Sequence, residues 1–241
     1  MSKRVFIGVG HGGSDPGAVA NGLKEKDINL VMGCMMKVEL ERHGVEVGIT
    51  RKTDMNDPLH AGIAMANAFN PDIAIDVHTN AGGGKGFEIY RQQTTGNPAQ
   101  ALKLAQSIEK RVLEIGQNSR GIRGERAPLP APNNFIFGWL REVRCAAVLT
   151  ECAFVDNAQD VQLINTIEKQ EVFGVAYAKA VLDYYGMEWQ PAQTEKEAQI
   201  ILYGVMQQVI ALSSEEGAKR YAAEMNKLHK DQFWFIMEKK A

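Results

Sequence analysis

Along the first three quarters of the chain, apolar residues alternate between short unbroken runs and helical repeats. Val5 to Val9 is such a run before a glycine-rich loop from Gly10 to about Leu23, as expected for a central strand buried on both faces. From Glu25 to His43, Ile28, Val31, Met35, Val38 and Leu40 recur near helical spacing, and Gly44 supplies a C-terminal stop. Val45 to Thr50 predicts a second strand. Pro58 to Phe69 predicts a second helix, and Asp72 to Val77 a third strand rich in Ile, Ala and Val. The pattern continues with a strand at Gly86 to Tyr90, a helix at Pro98 to Ile115, a strand at Ala147 to Glu151, and one or two helices within Asp160 to Tyr185. This alternation predicts an α/β fold: a mostly parallel sheet with helices on both faces and functional loops at the carboxyl ends of its strands.

Between Ile115 and Ala146 the pattern dissolves into Gly, Pro, Asn and Arg, with Phe135 to Phe137 as a short strand, and the segment is a candidate substrate-facing loop. Gln190 to Thr194 reads as a linker. Beyond it, Thr194 with Glu197 and Ser213 with Glu216 have the spacing of helix-capping boxes, which predicts a small C-terminal helical hairpin. Its buried face would include Ile201, Val205 and Val209 on one helix and Tyr221, Met225 and Leu228 on the other. The expected division is therefore a domain at 1–189 and a linker with a helical region at 190–241, the latter serving wall binding, a homodimer through the C-terminal helices, or docking onto the first domain. The aromatic tail Phe233, Trp234 and Phe235 suits any of these.

With 241 residues, 45% of them apolar, the chain can bury one substantial core. Its 27 basic and 29 acidic residues give a formal charge of −2, which argues against nucleic acid or an anionic membrane surface as partner. Cys34, Cys145 and Cys152 lack the spacing of a zinc knuckle or a disulfide scaffold and are read as free thiols. No apolar run approaches the ~20 residues of a membrane-spanning helix, and the opening MSKRVFIGVG enters a strand directly, without the pattern of a signal peptide.

Candidate chemistry lies where strands give way to loops. His11 follows the first strand in GVGHGGSDPG, and His78 ends the third in IDVHTN, so parallel topology places both imidazoles on one sheet edge. Glu25 opens the first helix; alone it reads better as a carboxylate favoured by the helix dipole, but the neighbouring His11 raises the ligand reading. Two imidazoles and one carboxylate form the protein half of a catalytic Zn²⁺ site with an open fourth position. Glu151 ends the strand AVLTE at the same edge, free to handle protons. Cys152 would compete as a soft ligand, yet strand alternation turns it to the opposite face. Gly8, Gly10 and Gly13 satisfy a dinucleotide-binding spacing, but the helix is delayed to about Glu25, leaving no adjacent helix N-terminus for a pyrophosphate.

GHGGSDPGA, NGLKEKDINL, TRKTD, DVHTNA and LTECAFVDN together resemble the zinc-dependent N-acetylmuramoyl-L-alanine amidases of the amidase 3 family, in order and approximate spacing from residue 4 to about 186. The resemblance implies a twisted, largely parallel sheet, Zn²⁺ bound by His11, Glu25 and His78, and Glu151 as catalytic acid/base. It implies hydrolysis of the amide between N-acetylmuramic acid and L-alanine in bacterial peptidoglycan. Asn80 and Arg123 are expected substrate contacts. Two departures stand out: family members commonly carry Asp-Pro before the Gly-His pair, where this chain has Gly8 and Val9, and a Gly often follows the catalytic Glu where this chain has Cys152. SRGIRGERAPLPAPNN matches the family's NRG-containing loop only at Arg120 and Gly121. Alternatives are a zinc carboxypeptidase or other acyl-amide hydrolase, or a non-catalytic cell-wall-binding module. Without an export signal, the expected protein is a phage or prophage endolysin synthesised in the cytoplasm and acting on the cell wall after release; a truncated secreted autolysin is the alternative.

Overall fold

Six strands of the computed structural model form one sheet in the order β4-β1-β5-β8-β6-β7, and residues 3–125 and 137–191 are described. The strands are β1 (Arg4–Val9), β4 (Glu46–Ile49), β5 (Ile73–Asn80), β6 (Phe87–Arg91), β7 (Ser119–Gly124) and β8 (Ala146–Phe154); β2 (Val19–Ala20) and β3 (Leu23–Lys24) make a separate antiparallel hairpin. Every neighbouring pair in the large sheet is parallel except β6 with β8. The helices are α1 (Glu25–Arg42), α2 (Leu59–Phe69), α3 (Pro98–Glu114), α4 (Gly138–Glu142), α5 (Ala158–Val161) and α6 (Ile167–Tyr185).

Strand alternation divides the core into two layers. Val5, Ile7, Val9, Ile73, Ile75, Val77 and Val148 pack beneath α1, α3 and α6. Phe6, Ala74, Ala147 and Leu149 pack against Ile63 and Ala66 of α2 and Trp139 and Leu140 of α4. Helices therefore cover both faces, as the alternation predicts. The central strands read as near-continuous apolar runs because both of their faces are covered.

Element boundaries match the periodicity within one or two residues for β1, α1, α2 and α3, while β8 continues to Phe154, three residues beyond its expected end. Three features differ from expectation. SRGIRG is a strand although it lacks an apolar run, because β7 sits at the edge of the described sheet, paired there with β6. The β2–β3 hairpin turns on Asn21 and Gly22, both at positive φ, the residue pair that a type I′ turn favours. The expected short strand at Phe135 to Phe137 falls largely outside the described residues; Phe137 itself caps α4. The linker beyond residue 191, the helical hairpin, the aromatic tail and any homodimer through them also lie outside the described residues.

Candidate active site

The carboxyl ends of the parallel strands gather the four expected catalytic and metal residues. β5 pairs with β8 so that His78 lies opposite Glu151, and β8 pairs with β6 so that Glu151 lies opposite Glu88. Side chains at paired positions share a face, which sets Glu88, Glu151 and His78 in a row on the side of α2 and α4. His11 follows β1 at φ 62°, a left-handed conformation that costs a non-glycine residue roughly 1 kcal/mol or more. Arg51 pins this turn by donating from Nε to the carbonyl of Val9 at 3.1 Å and from Nη2 to that of Gly10 at 3.2 Å.

Glu25 enters from the first turn of α1, and its carboxylate stands between the two imidazoles. Its Oε2 is 3.3 Å from His11 Nε2, and its Oε1 is 3.0 Å from His78 Nδ1. The backbone N–H groups of Ala18 and Thr79 also donate to it, at 2.9 and 3.0 Å. Burial favours the protonated acid, but the hydrogen bonds from both histidines prevail and hold the Glu25 carboxyl well below its ordinary range. Hydrogen bonding to Glu25 likewise raises the His11 pKa; for His78, burial acts downward while Asp76 and Glu25 raise the value.

One ligating atom from each of His11, Glu25 and His78 lies within 4.8 Å of the others. Two imidazoles and a carboxylate at that spacing match the donor set of a three-ligand zinc centre. Glu151 is 9% exposed, and its Oε2 has no hydrogen-bond partner among the described residues. Burial pushes its carboxyl up to about 8 against the opposing pull of His78. An unpartnered buried carboxylate oxygen beside this ligand set fits a site completed by a cation and water-derived chemistry.

Cys152 points away from the ligands: it is fully buried, with Sγ 3.4 Å from Thr79 Oγ1 on the side of α1. The strand alternation expected for it holds because β8 remains extended through Phe154. Asn80 and Arg123 reach the same edge, and both are tied to Glu88: Asn80 Nδ2 donates at 3.2 Å, and Arg123 Nη2 lies 3.0 Å away. Arg120, from the loosely matched NRG segment, also pairs with Glu88. Sequence reasoning missed Glu88, Asp76 and Asp15. The last two were signalled by acidic residues in unusual places, Asp76 within the apolar strand IAIDV and Asp15 four residues after His11.

A cavity of about 500 Å³ opens beside His11 and His78, with Asp57, Asp76 and Ser14 on its polar wall and Leu59, Trp139 and Leu149 on its apolar one. A concave site with apolar walls and a few convergent polar groups is suited to binding a small ligand portion.

The family model described as N-acetylmuramoyl-L-alanine amidase matches residues 5–183. Over 170 residues the chain is 37% identical to the endolysin of Bacillus phage SPP1, an alignment covering 68% of this chain and 59% of that protein. Among solved structures, Cwp6 from Clostridium difficile superposes with a TM-score of 0.71 at 33% identity over 76% of this chain, which amounts to 29% of that chain. The N-acetylmuramoyl-L-alanine amidase AmiC2 of Nostoc punctiforme superposes with a TM-score of 0.67 at 27% identity, over 76% of this chain and 97% of that one. The chain thus spans less than two thirds of the endolysin, less than a third of Cwp6, and nearly the whole of AmiC2. With the His11, Glu25 and His78 cluster and all but the first residue of the sheet falling within the matched residues 5–183, the chain belongs to the N-acetylmuramoyl-L-alanine amidase family.

Proposed function

We propose that this chain hydrolyses the amide between the lactyl group of N-acetylmuramic acid and L-alanine of the peptidoglycan stem, with Zn²⁺ held by His11, Glu25 and His78. The observation that carries this reading is the convergence of three potential ligating atoms within 4.8 Å beside a buried Glu151 carboxylate whose Oε2 has no partner among the described residues. When bound, zinc supplies a Lewis acid that polarises a carbonyl oxygen and acidifies water. Glu151 takes a proton from the attacking water as the new C–O bond forms, then returns it to the alanine nitrogen as the C–N bond breaks. A proton acceptor must be ionised; burial of Glu151 opposes that form, and a cation on the neighbouring ligands favours it. Asn80 and Arg123 serve as substrate contacts at the rim, where Glu88 holds both in place. Similarity to an endolysin supports the accompanying reading that the protein is made in the cytoplasm and reaches the wall after release.

The test is metal analysis of the purified protein, combined with mass spectrometry of products released from peptidoglycan by wild type and Glu151→Gln. The expected result is about one zinc per chain in both proteins, new L-alanine amino termini with wild type, and a rate ~10²–10⁴-fold lower for the variant. Release of a free C-terminal amino acid would instead mark a carboxypeptidase. Wall binding without turnover in the zinc-loaded wild type would mark a binding module.

A further inference from the structure

β1 and β5 run side by side with Gly8 opposite Asp76, and residues 76 and 78 both project toward α2 and α4. A Cβ on Gly8 would lie 2.3 Å from Asp76 Oδ1, and one on Gly10 would lie 2.2 Å from His78 Cε1. Side chains reaching across from β5 thus fill the space that β1 would otherwise claim. A larger residue at position 8 and the observed Asp76 side chain are mutually exclusive.

Asp76 is 5% exposed, and its Oδ2 lies 3.3 Å from His78 Nε2. The other ring nitrogen of His78, Nδ1, faces Glu25. His11 repeats this polarity: its Nδ1 meets Asp15 Oδ2 at 2.8 Å while its Nε2 faces Glu25. Each imidazole is therefore held by an aspartate at the nitrogen turned away from the ligand cluster. An outer carboxylate of this kind fixes the ring's tautomer and direction and raises its basicity toward a metal.

We propose that Asp76 is a positioning residue for the metal centre. It accepts the Nε2–H of His78 and leaves the Nδ1 lone pair aimed at the cluster. It occupies from β5 the space that a side chain on Gly8 of β1 would need, so an aspartate at position 8 serves His78 only in place of Asp76. This inference rests on the zinc reading given under Proposed function.

The test measures zinc affinity of the full chain by competition with a chromophoric chelator, alongside the Tm of the metal-free protein. The variants are Asp76→Asn, Asp76→Ala and Gly8→Asp/Asp76→Ala. Expected are a zinc affinity ~10–100-fold weaker in both single variants, with no fall in metal-free Tm, and recovery in the double variant. Wild-type affinity in Asp76→Asn and Asp76→Ala would overturn the positioning role, as would an affinity loss matched by a lower metal-free Tm. A double variant as weak as Asp76→Ala would overturn the service of His78 from position 8. Failure of wild type itself to bind zinc would sink the metal reading, an outcome distinct from all of these.

Discussion

Arg51 is only 2% exposed, and its guanidinium is spent on main-chain carbonyls: Val9 at 3.1 Å, Gly10 at 3.2 Å, Lys26 at 2.7 Å and Thr53 at 3.2 Å. These bonds join the end of β1 to the first turn of α1, the two segments that deliver His11 and Glu25. Beside it, Lys26 Nζ donates to the carbonyl of Gly13 at 2.8 Å and to Asp54 at 2.6 Å, and the Gly13 amide donates to Asp54 at 2.7 Å. TRKTD, which carries no chemistry of its own, is thereby explained as the clamp on the histidine loop. Burial lowers the Arg51 pKa, opposed by Asp57 and Asp54, so the charge is retained at a desolvation cost that only its full set of acceptors offsets. Arg51→Ala is expected to lose ~3 kcal/mol or more of stability, since charge-assisted hydrogen bonds contribute ~1.5–3 kcal/mol each and do not add fully. Urea denaturation measures this, and zinc affinity should fall with it because His11 loses the support for its left-handed backbone.

At the level of elements, legibility followed periodicity. α1 and α3 are visible because their apolar faces recur at helical spacing, and β1, β5 and β8 because burial on both faces demands unbroken apolar runs. β7 is not visible: SRGIRG offers no run, and its place is set by pairing with β6 rather than by its own residues. Glu88 is hidden for a related reason. Only the antiparallel register of β6 against β8 brings it opposite Glu151, and register is a tertiary property that a single strand's pattern does not carry. His11, His78 and Glu151 were legible because parallel topology assigns strand ends to one edge without needing register. The long α6 contains a further oddity, the buried Glu171, whose Oε1 has no partner among the described residues. Burial, aided by Glu168, pushes its carboxyl up to about 7. A folded-state pKa above the unfolded value of about 4.5 means that the native chain holds the proton more tightly. The stabilising contribution is full below about pH 4.5, shrinks as pH rises, and is gone above about 7. Glu171→Gln should therefore match wild type near pH 4 and exceed its stability at pH 8 by up to ~3 kcal/mol, as read from denaturation midpoints at the two values. Equal pH profiles would show that Glu171 is solvated.

For the whole molecule, the C-terminal end of the described residues is anchored onto α1 and α6. Trp189 Nε1 donates to Glu39 at 3.2 Å, and Lys179 Nζ stands 3.9 Å from the centre of its ring. The amide of Gln190 donates to His43 Nε2 at 2.9 Å. A protein ending at residue 191 keeps these contacts and the whole ligand set. It is expected to hydrolyse a small soluble muropeptide with kcat/KM within about threefold of the full chain, a barrier change under ~1 kcal/mol. Sedimentation with intact walls, or apparent mass in solution, should change more than that rate; parallel losses in every assay would instead make the last fifty residues part of the catalytic unit. The row of acids across β5, β8 and β6 has a last consequence. Arg120 and Arg123 answer Glu88, and the imidazole of His78 answers Asp76, so Glu151 is left as the acid of this row whose Oε2 has no partner among the described residues. Under the zinc reading proposed above, a divalent ion on the neighbouring ligands is the counterweight for that carboxylate. Filling the site and readying its base are then a single event.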